Sequence, residues 1–167
     1  MRPFKLPIFN EINLDDLENW YDAQVEVDGA TVSMDMNFDE TSIGEAEVTF
    51  VKNFLEKLPE ITQSLRAHVL LDYASGTVTK EFLSKALDSA NEEKLNAVLA
   101  SVSSTENTSR DQQLLAALRL KRIAFFPEDA ERFAFFDYTI GTDFTDYLLA
   151  FTLNTQQAIV EVSVENY

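Results

Sequence analysis

Apolar and polar residues alternate along residues 20–38, and the alternation is interrupted only at Asp28-Gly29. An Asp-Gly pair between two alternating segments is a strong signal for a β-hairpin with a two-residue turn. Such a turn pairs Val27 with Ala30 and so determines the register of the whole hairpin. We therefore predict a hairpin with one apolar side and one polar side.

The predicted register places Asp22 directly opposite Asp35 on the polar side of the hairpin. Like charges at facing positions destabilise a strand pair. Two explanations remain open for this arrangement. Either a base from a neighbouring strand, such as Arg119, Lys121 or Arg122, relieves the repulsion, or the free protein tolerates it at a partner-binding site.

Apolar residues recur at helical spacing in four blocks between residues 43 and 102. The segment from Ser42 to Glu45 fits a capping box at the start of the first helix. Pro59 is expected to end or restart a helix, and Thr79 is expected to cap the third one. Residues 101–110, rich in Ser, Thr and Asn, predict a mobile loop.

The last third of the chain returns to the alternation that is typical of strands. Within the first of these strands the alternation slips by one residue at Lys121-Arg122, which predicts a β-bulge. The connections between the later strands are short and favour antiparallel neighbours. The four predicted strands cover residues 118–126, 133–140, 146–153 and 158–165.

This order of elements predicts an α+β fold in a single domain, residues 1–167, with strands in 20–38, helices in 43–102 and strands in 118–165. An N-terminal β-hairpin comes first, central helices follow, and a C-terminal four-stranded antiparallel meander closes the chain. The helices are expected to pack on one face of the sheet.

The composition is strongly acidic, with 29 Asp and Glu against 13 Lys and Arg and a net charge of -16. No Lys or Arg lies between Lys5 and Lys52. Such a field repels phosphates, so we expect neither nucleic-acid nor membrane binding, and it attracts basic partners. Without cysteine, a secretory signal or a long apolar segment, a cytoplasmic protein is expected.

Motifs that carry chemistry are weak in this sequence, and we predict no catalytic residue, no metal site and no cofactor. His68 is the only histidine, and no metal-binding spacing surrounds it. The segment from Asp35 to Asp39 imitates the start of a calcium loop, but the Gly and Glu required later are missing. Carboxylate pairs such as Asp143 with Asp146, or Asp15 with Asp16, carry little weight among 29 acids.

Aromatic residues concentrate in the C-terminal third. In the strand 133–140, Phe136 and Tyr138 are expected to face the helices, so Phe133 and Phe135 are predicted to point to the opposite face. Such a face is normally polar when it is open to solvent. Three explanations remain open for the two Phe residues: an apolar contact patch for a partner, a homodimer contact, or cover by the N-terminal segment 4–9.

These patterns together suggest a partner-binding surface on the hairpin and on the open sheet face. Its predicted residues combine carboxylates with the two aromatic side chains: Asp22, Glu26, Asp35, Asp39, Phe133 and Phe135.

The segment from Phe136 to Gly141, followed by Thr145 to Leu149 and a closing alternating strand, resembles a family of small acidic bacterial α+β proteins. That family is defined as a domain of unknown function, and similar proteins are found among predicted immunity proteins of toxin systems. The resemblance covers the last third of the chain and implies the fold more than the function.

The sequence thus favours a non-enzymatic cytoplasmic binding protein that presents an acidic surface to a basic, toxin-like protein, as an immunity protein does. Two alternatives remain open. The chain is then either a housekeeping domain whose acidity serves only solubility, or a hydrolase that uses carboxylates.

Overall fold

A computed structural model of the chain describes residues 1–102 and 107–166. Four of its strands precede the helices: β1 (Pro3–Leu6), β2 (Asn10–Asn13), β3 (Trp20–Val27) and β4 (Ala30–Asn37). The helices are α1 (Glu45–Glu56), α2 (Leu58–Ser75), α3 (Val78–Ser89), α4 (Glu92–Ala100) and α5 (Arg110–Ala117). The last strands are β5 (Arg119–Phe125), β6 (Ala134–Thr139), β7 (Tyr147–Leu153) and β8 (Ile159–Asn166).

Six strands form one sheet in the order β3-β4-β5-β6-β7-β8, while β1 and β2 pair separately. Neighbouring strands are antiparallel except β4 and β5, which are parallel. A parallel pair needs a long crossover, and the helices supply it. The predicted α+β fold, with its hairpin, central helices and four-stranded meander, is therefore confirmed.

The predicted hairpin register is confirmed, because Val27 pairs with Ala30 and Asp22 pairs with Asp35. Asp28 has a φ of 51° and Gly29 a φ of 79°. Two positive φ values in succession are what a type I′ turn requires, and Asp and Gly are among the residues that adopt them most readily. The Asp-Gly turn therefore sets which side chains share each face of the hairpin.

The helices cover one face of the six-stranded sheet. The ring of Phe54 on α1 lies 5.8 Å from that of Phe125, 5.3 Å from that of Phe133 and 6.4 Å from that of Phe136. All four rings are fully buried. The buried apolar residues form one cluster that includes strands, helices and the β1–β2 hairpin, so a single core lies between the sheet and the helices.

Two of the predicted helix starts are wrong. α1 begins after Gly44, and no side chain caps it, so the capping box expected from Ser42 does not form. α3 begins at Val78, and the Thr79 backbone N–H donates to the carboxylate of Asp72 at 2.6 Å. α1 thus starts without a side-chain cap, and α3 starts beside a carboxylate at the end of α2. The expectation for Pro59 is confirmed, since it lies in the first turn of α2.

The sequence pattern predicts neither the β1–β2 hairpin nor α5. Strands of four residues, such as β1 and β2, are too short to show a clear alternation. α5 does carry a local signal: a capping box in which Ser109 and Gln112 bond each other's backbone N–H. Part of the mobile loop predicted for residues 101–110, residues 103–106, lies outside the described residues, and that mobility stays a prediction.

Candidate functional site

The face of the six-stranded sheet opposite the helices is the candidate functional site, and we call it the open face. Strand register determines which side chains it carries, since paired residues point to the same side. Its acidic side chains come from four strands and are Asp22, Glu26, Asp35, Asp137, Glu161 and Glu165. The arginines that pair with these acids are Arg122 on β5 and Arg132, which lies just before β6.

The β-bulge brings Arg122 to the open face. Leu120 pairs with Tyr138, and Ile123 pairs with Phe136, so both lie on the helix side although their numbers differ in parity. The register shift between Leu120 and Arg122 accounts for this change. The bulge predicted from the sequence is confirmed, and it turns Arg122 toward the polar side of the sheet.

Arg122 holds Asp35 in a two-point ion pair across the parallel β4–β5 junction. Its Nε donates to Asp35 Oδ1 at 2.8 Å, and its Nη2 donates to Asp35 Oδ2 at 3.0 Å. Asn37 Nδ2 adds a third donor to Asp35 Oδ2 at 2.6 Å. The hydrogen bond with Asp35 raises the pKa of Arg122, against the opposing effect of its partial burial. Arg122 is therefore the base from a neighbouring strand that relieves the repulsion between Asp22 and Asp35.

Asp137 is a second, weaker partner of Arg122. Its Oδ2 lies 3.8 Å from Arg122 Nη1, and its side chain is only 13% exposed. Burial raises the pKa of Asp137, and although Arg122 works in the opposite direction, the negative charge of Glu165 adds to the rise. Arg122 thus bonds Asp35 closely and Asp137 only at a distance, and although the charge of Lys121 also acts on Asp137, the pKa of Asp137 stays raised at the centre of the open face.

Aromatic side chains lie at one end of the open face. Trp20, on the edge strand β3, is 55% exposed. The rings of Phe126 and Phe135 meet edge to face with centroids 5.2 Å apart. Arg132 lies over the Phe135 ring at 5.6 Å and also bonds Glu161 at 2.9 Å. This end of the face therefore offers an exposed aromatic ring and a half-buried aromatic pair beside charged groups.

The placement predicted for Phe133 is wrong. It lies just before β6, outside the alternation of that strand, and its fully buried ring packs against Phe54 on the helix side. Phe135 is half-buried on the open face, as expected. Cover by the N-terminal segment does not account for it, because Phe9 is buried in the core and Ile8 faces Leu55 of α1 across a cavity on the helix side.

The remaining predicted acids are spread along the face. Glu26 is exposed on β3 and accepts a hydrogen bond from Thr31 Oγ1 at 2.5 Å. Asp39 follows β4, is exposed, and donates its backbone N–H to Glu128 at 2.9 Å. The structure thus brings Asp22, Asp35 and Glu26 onto one face and leaves Asp39 at its border.

Sequence reasoning placed Asp137 on this side of β6 without naming it as a site residue, and it missed Arg132 and Trp20. The signal for Asp137 was its polar position between Phe136 and Tyr138, which puts it on the open side of β6. The signal for Trp20 was its position in the alternation of β3, which places it on the same side as Asp22 and Glu26. Neither signal shows which residues lie beside these side chains, because that depends on the strand order.

Other candidate chemistry finds structural roles. His68 packs its ring edge to face against Phe151 at 5.7 Å. Asp15 pairs with Arg2 at 2.6 Å and with the N-terminal amine at 3.4 Å, and the hydrogen bond from Arg2 lowers its pKa. Asp143 and Asp146 are both exposed. Within residues 1–102 and 107–166, no group of three His, Asp or Glu side chains is arranged to hold a metal ion.

The described helices were also compared with the requirements of a membrane span, and none is both long and apolar enough to meet them. Comparisons with family models, with curated proteins and with solved structures found no significant match to this chain.

Proposed function

We propose that this chain is a non-enzymatic cytoplasmic binding protein whose open face receives a basic protein surface, in the way that an immunity protein receives a toxin. The observation that carries the proposal is the 55% exposed Trp20, which shares one side of β3 with the exposed carboxylates of Asp22 and Glu26. Exposed tryptophan is costly to leave in water and is enriched among residues that dominate binding energy.

Electrostatics supports a basic partner for this face. The open face carries six acids against Arg122 and Arg132, with Lys121 acting on Asp137, and both of these arginines are already paired with carboxylates of the same face. The net charge of -16 adds a long-range field that attracts cations and speeds their encounter. The same field opposes nucleic acid, an anionic membrane and a second copy of the same face.

The aromatic end supports a protein partner in particular. Rigid aromatic anchors next to charged groups are typical of the centre of protein interfaces, where charged rims give specificity. Trp20 has the exposed area to act as an anchor, and Phe135 is held by Phe126 and Arg132.

The test is affinity capture from a bacterial lysate at low salt, followed by purification of the captured basic protein and measurement of a 1:1 complex. Trp20→Ala is expected to weaken that complex by about tenfold or more, since anchor residues contribute at least about 2 kcal/mol. Affinity is also expected to fall with added salt, because charged rims are screened.

Two identical charge reversals provide the matched comparison. Glu26→Lys changes the open face, and Glu93→Lys makes the same change on the exposed surface of α4. The proposal predicts that only Glu26→Lys weakens the complex strongly. Equal losses from both would show that overall acidity alone attracts the protein, as in the solubility explanation. Sedimentation of the free protein as a dimer, abolished by Trp20→Ala, would assign the face to self-association instead.

A further inference from the structure

A cavity of about 630 Å³ opens on the helix side of the sheet, between the tip of the β3–β4 hairpin and the start of α2. Its walls include Val25 and Val27 of β3, Leu55 of α1 and Leu58 of α2. A volume of about 300–1,000 Å³ is usual for small-molecule sites. The cavity lies across the sheet from the open face, so it is independent of the function proposed above.

Incomplete helical cover of the edge strand explains why this cavity exists. On β4, the helix-facing residues Val32, Met34 and Met36 are completely buried. Their partners on β3, including Val25, are only half-buried on the same side of the sheet. The helices therefore cover β4 but leave an apolar trough along β3. Binding of an apolar molecule in this trough would remove its apolar surface from water, which is favourable.

Cationic and hydrogen-bonding groups are placed at the inner end of the trough. Arg66 of α2 donates to the backbone oxygens of Leu115 at 3.0 Å and Leu118 at 2.6 Å. These bonds hold the guanidinium in place and leave its other N–H groups unused. Arg119 lines both this cavity and a neighbouring one, where its Nη2 lies near Gly141, and it forms no ion pair with any described residue.

Tyr138 supplies a third polar group at the same end. Its side chain is 3% exposed and lines the cavity, and its hydroxyl bonds to no other described residue. A hydroxyl without a partner in the protein has its donor free for a molecule in the cavity. Burial raises the pKa of Tyr138 to about 12, so the phenol keeps its proton at neutral pH.

We propose that this cavity binds a small amphiphilic carboxylate, such as a medium-chain fatty acid, with its carboxylate toward Arg66, Arg119 and Tyr138 and its hydrocarbon part along β3. Guanidinium and phenol donors match a carboxylate, and the apolar walls match a hydrocarbon chain. Of the acids nearby, Glu26 is bonded to Thr31 on the other side of the sheet. Asp28 lies in the hairpin turn, lines the cavity together with Arg66 and Arg119, and its charge acts on Tyr138, so one carboxylate is set against two guanidinium groups.

Octanoate is the probe, titrated into the full-length protein and followed by calorimetry and by amide NMR shifts. Saturable 1:1 binding is expected with a Kd at or below about 1 mM, given the size of the ligand. Extending the chain from hexanoate to octanoate is expected to strengthen binding by up to about fourfold per methylene. 1-Octanol, which lacks the charge, and octylammonium, which reverses it, are both expected to bind at least about tenfold more weakly.

Variants separate the charged end from the apolar walls. Arg119→Gln removes an exposed guanidinium that supports no described contact, and it is expected to weaken octanoate binding by about tenfold. Arg110→Gln makes the same change outside the cavity and is expected to leave binding unchanged. Thr62→Trp fills the cavity from α2 and is expected to abolish binding while the far-ultraviolet circular dichroism stays the same.

Three results would overturn this proposal. One is the lack of saturable octanoate binding up to about 10 mM, where even an inefficient ligand of this size would bind. A second is octylammonium binding as tightly as octanoate, which would show that Asp28 and not the arginines governs the site. The third is equal binding to the wild type, Arg119→Gln and Thr62→Trp. Trp20→Ala is expected to leave octanoate binding unchanged, because Trp20 lies on the open face. A failure of octanoate binding is therefore distinct from a failure of the open-face proposal.

Discussion

The ion pair between Asp35 and Arg122 connects the N-terminal hairpin to the C-terminal meander, and its removal is a quantitative test of the fold. Asp35→Asn keeps the size of the side chain but removes its charge. Arg122 then keeps only Asp137, at 3.8 Å, as a carboxylate partner. The substitution is therefore expected to destabilise the protein, and the opposing Asp22 does not reverse this result.

The magnitude follows from the unequal exposure of the two partners. Exposed ion pairs contribute up to about 1 kcal/mol, and breaking a fully buried pair costs about 3–5 kcal/mol. The Asp35 side chain is 8% exposed, whereas that of Arg122 is 45% exposed. An intermediate loss of about 2 kcal/mol is therefore expected. For a chain of this length it lowers the melting temperature by about 4–8 °C.

The assay is urea and thermal unfolding at neutral pH and low salt, with Asp22→Asn as the matched control. Asp22 lies opposite Asp35 and is exposed. Its neutralisation is therefore expected to change the free energy of unfolding by no more than about 0.5 kcal/mol. A double-mutant cycle of Asp35→Asn with Arg122→Gln is expected to give a coupling of at least about 1 kcal/mol. Unchanged or increased stability of Asp35→Asn would refute the reasoning and show that the carboxylate repulsion outweighs the ion pair.

Three further predictions concern the core, the second carboxylate and metal ions. Phe133→Ala is expected to cost about 3–5 kcal/mol, whereas half-buried Phe135→Ala is expected to cost about 1–2 kcal/mol; equal losses in thermal melts would contradict the assigned faces. Asp137→Asn is expected to raise stability at neutral pH, because a carboxyl whose pKa is raised in the folded state costs stability when it is ionised. This gain is expected to disappear as pH falls below the ordinary Asp pKa, and urea titrations at several pH values measure it. Treatment with a chelator is expected to leave the thermal melt unchanged, and loss of its cooperativity would reveal a structural metal.

Local features of the sequence determined the hairpin and its register. The Asp28-Gly29 pair adopts the two positive φ values of its turn without help from the rest of the fold. Every cross-strand pair of β3 and β4 then follows from that turn, including Asp22 opposite Asp35. The bulge at Lys121-Arg122 was equally readable, because a slip in alternation is visible along one strand alone.

Only the tertiary structure decided which strands became neighbours. The parallel pairing of β4 with β5 joins segments that are separated by the whole helical region, and no local pattern specifies it. That pairing places Arg122 beside Asp35 and so settles whether the facing carboxylates are relieved within the chain. Alternation shows which face a side chain occupies, but strand order decides what lies next to it.

The two neighbouring phenylalanines show the same limit at the scale of one strand. The period of two within β6 correctly predicted Phe135 for the open face. Phe133 lies outside that period, at the residue before the strand, where its backbone N–H donates to Leu153 and its carbonyl accepts from the Phe126 N–H while its ring turns toward Phe54. The sequence thus determined most of the elements and their faces, and long-range packing decided the strand neighbours and the side chains at the ends of strands, since those depend on contacts with distant parts of the chain.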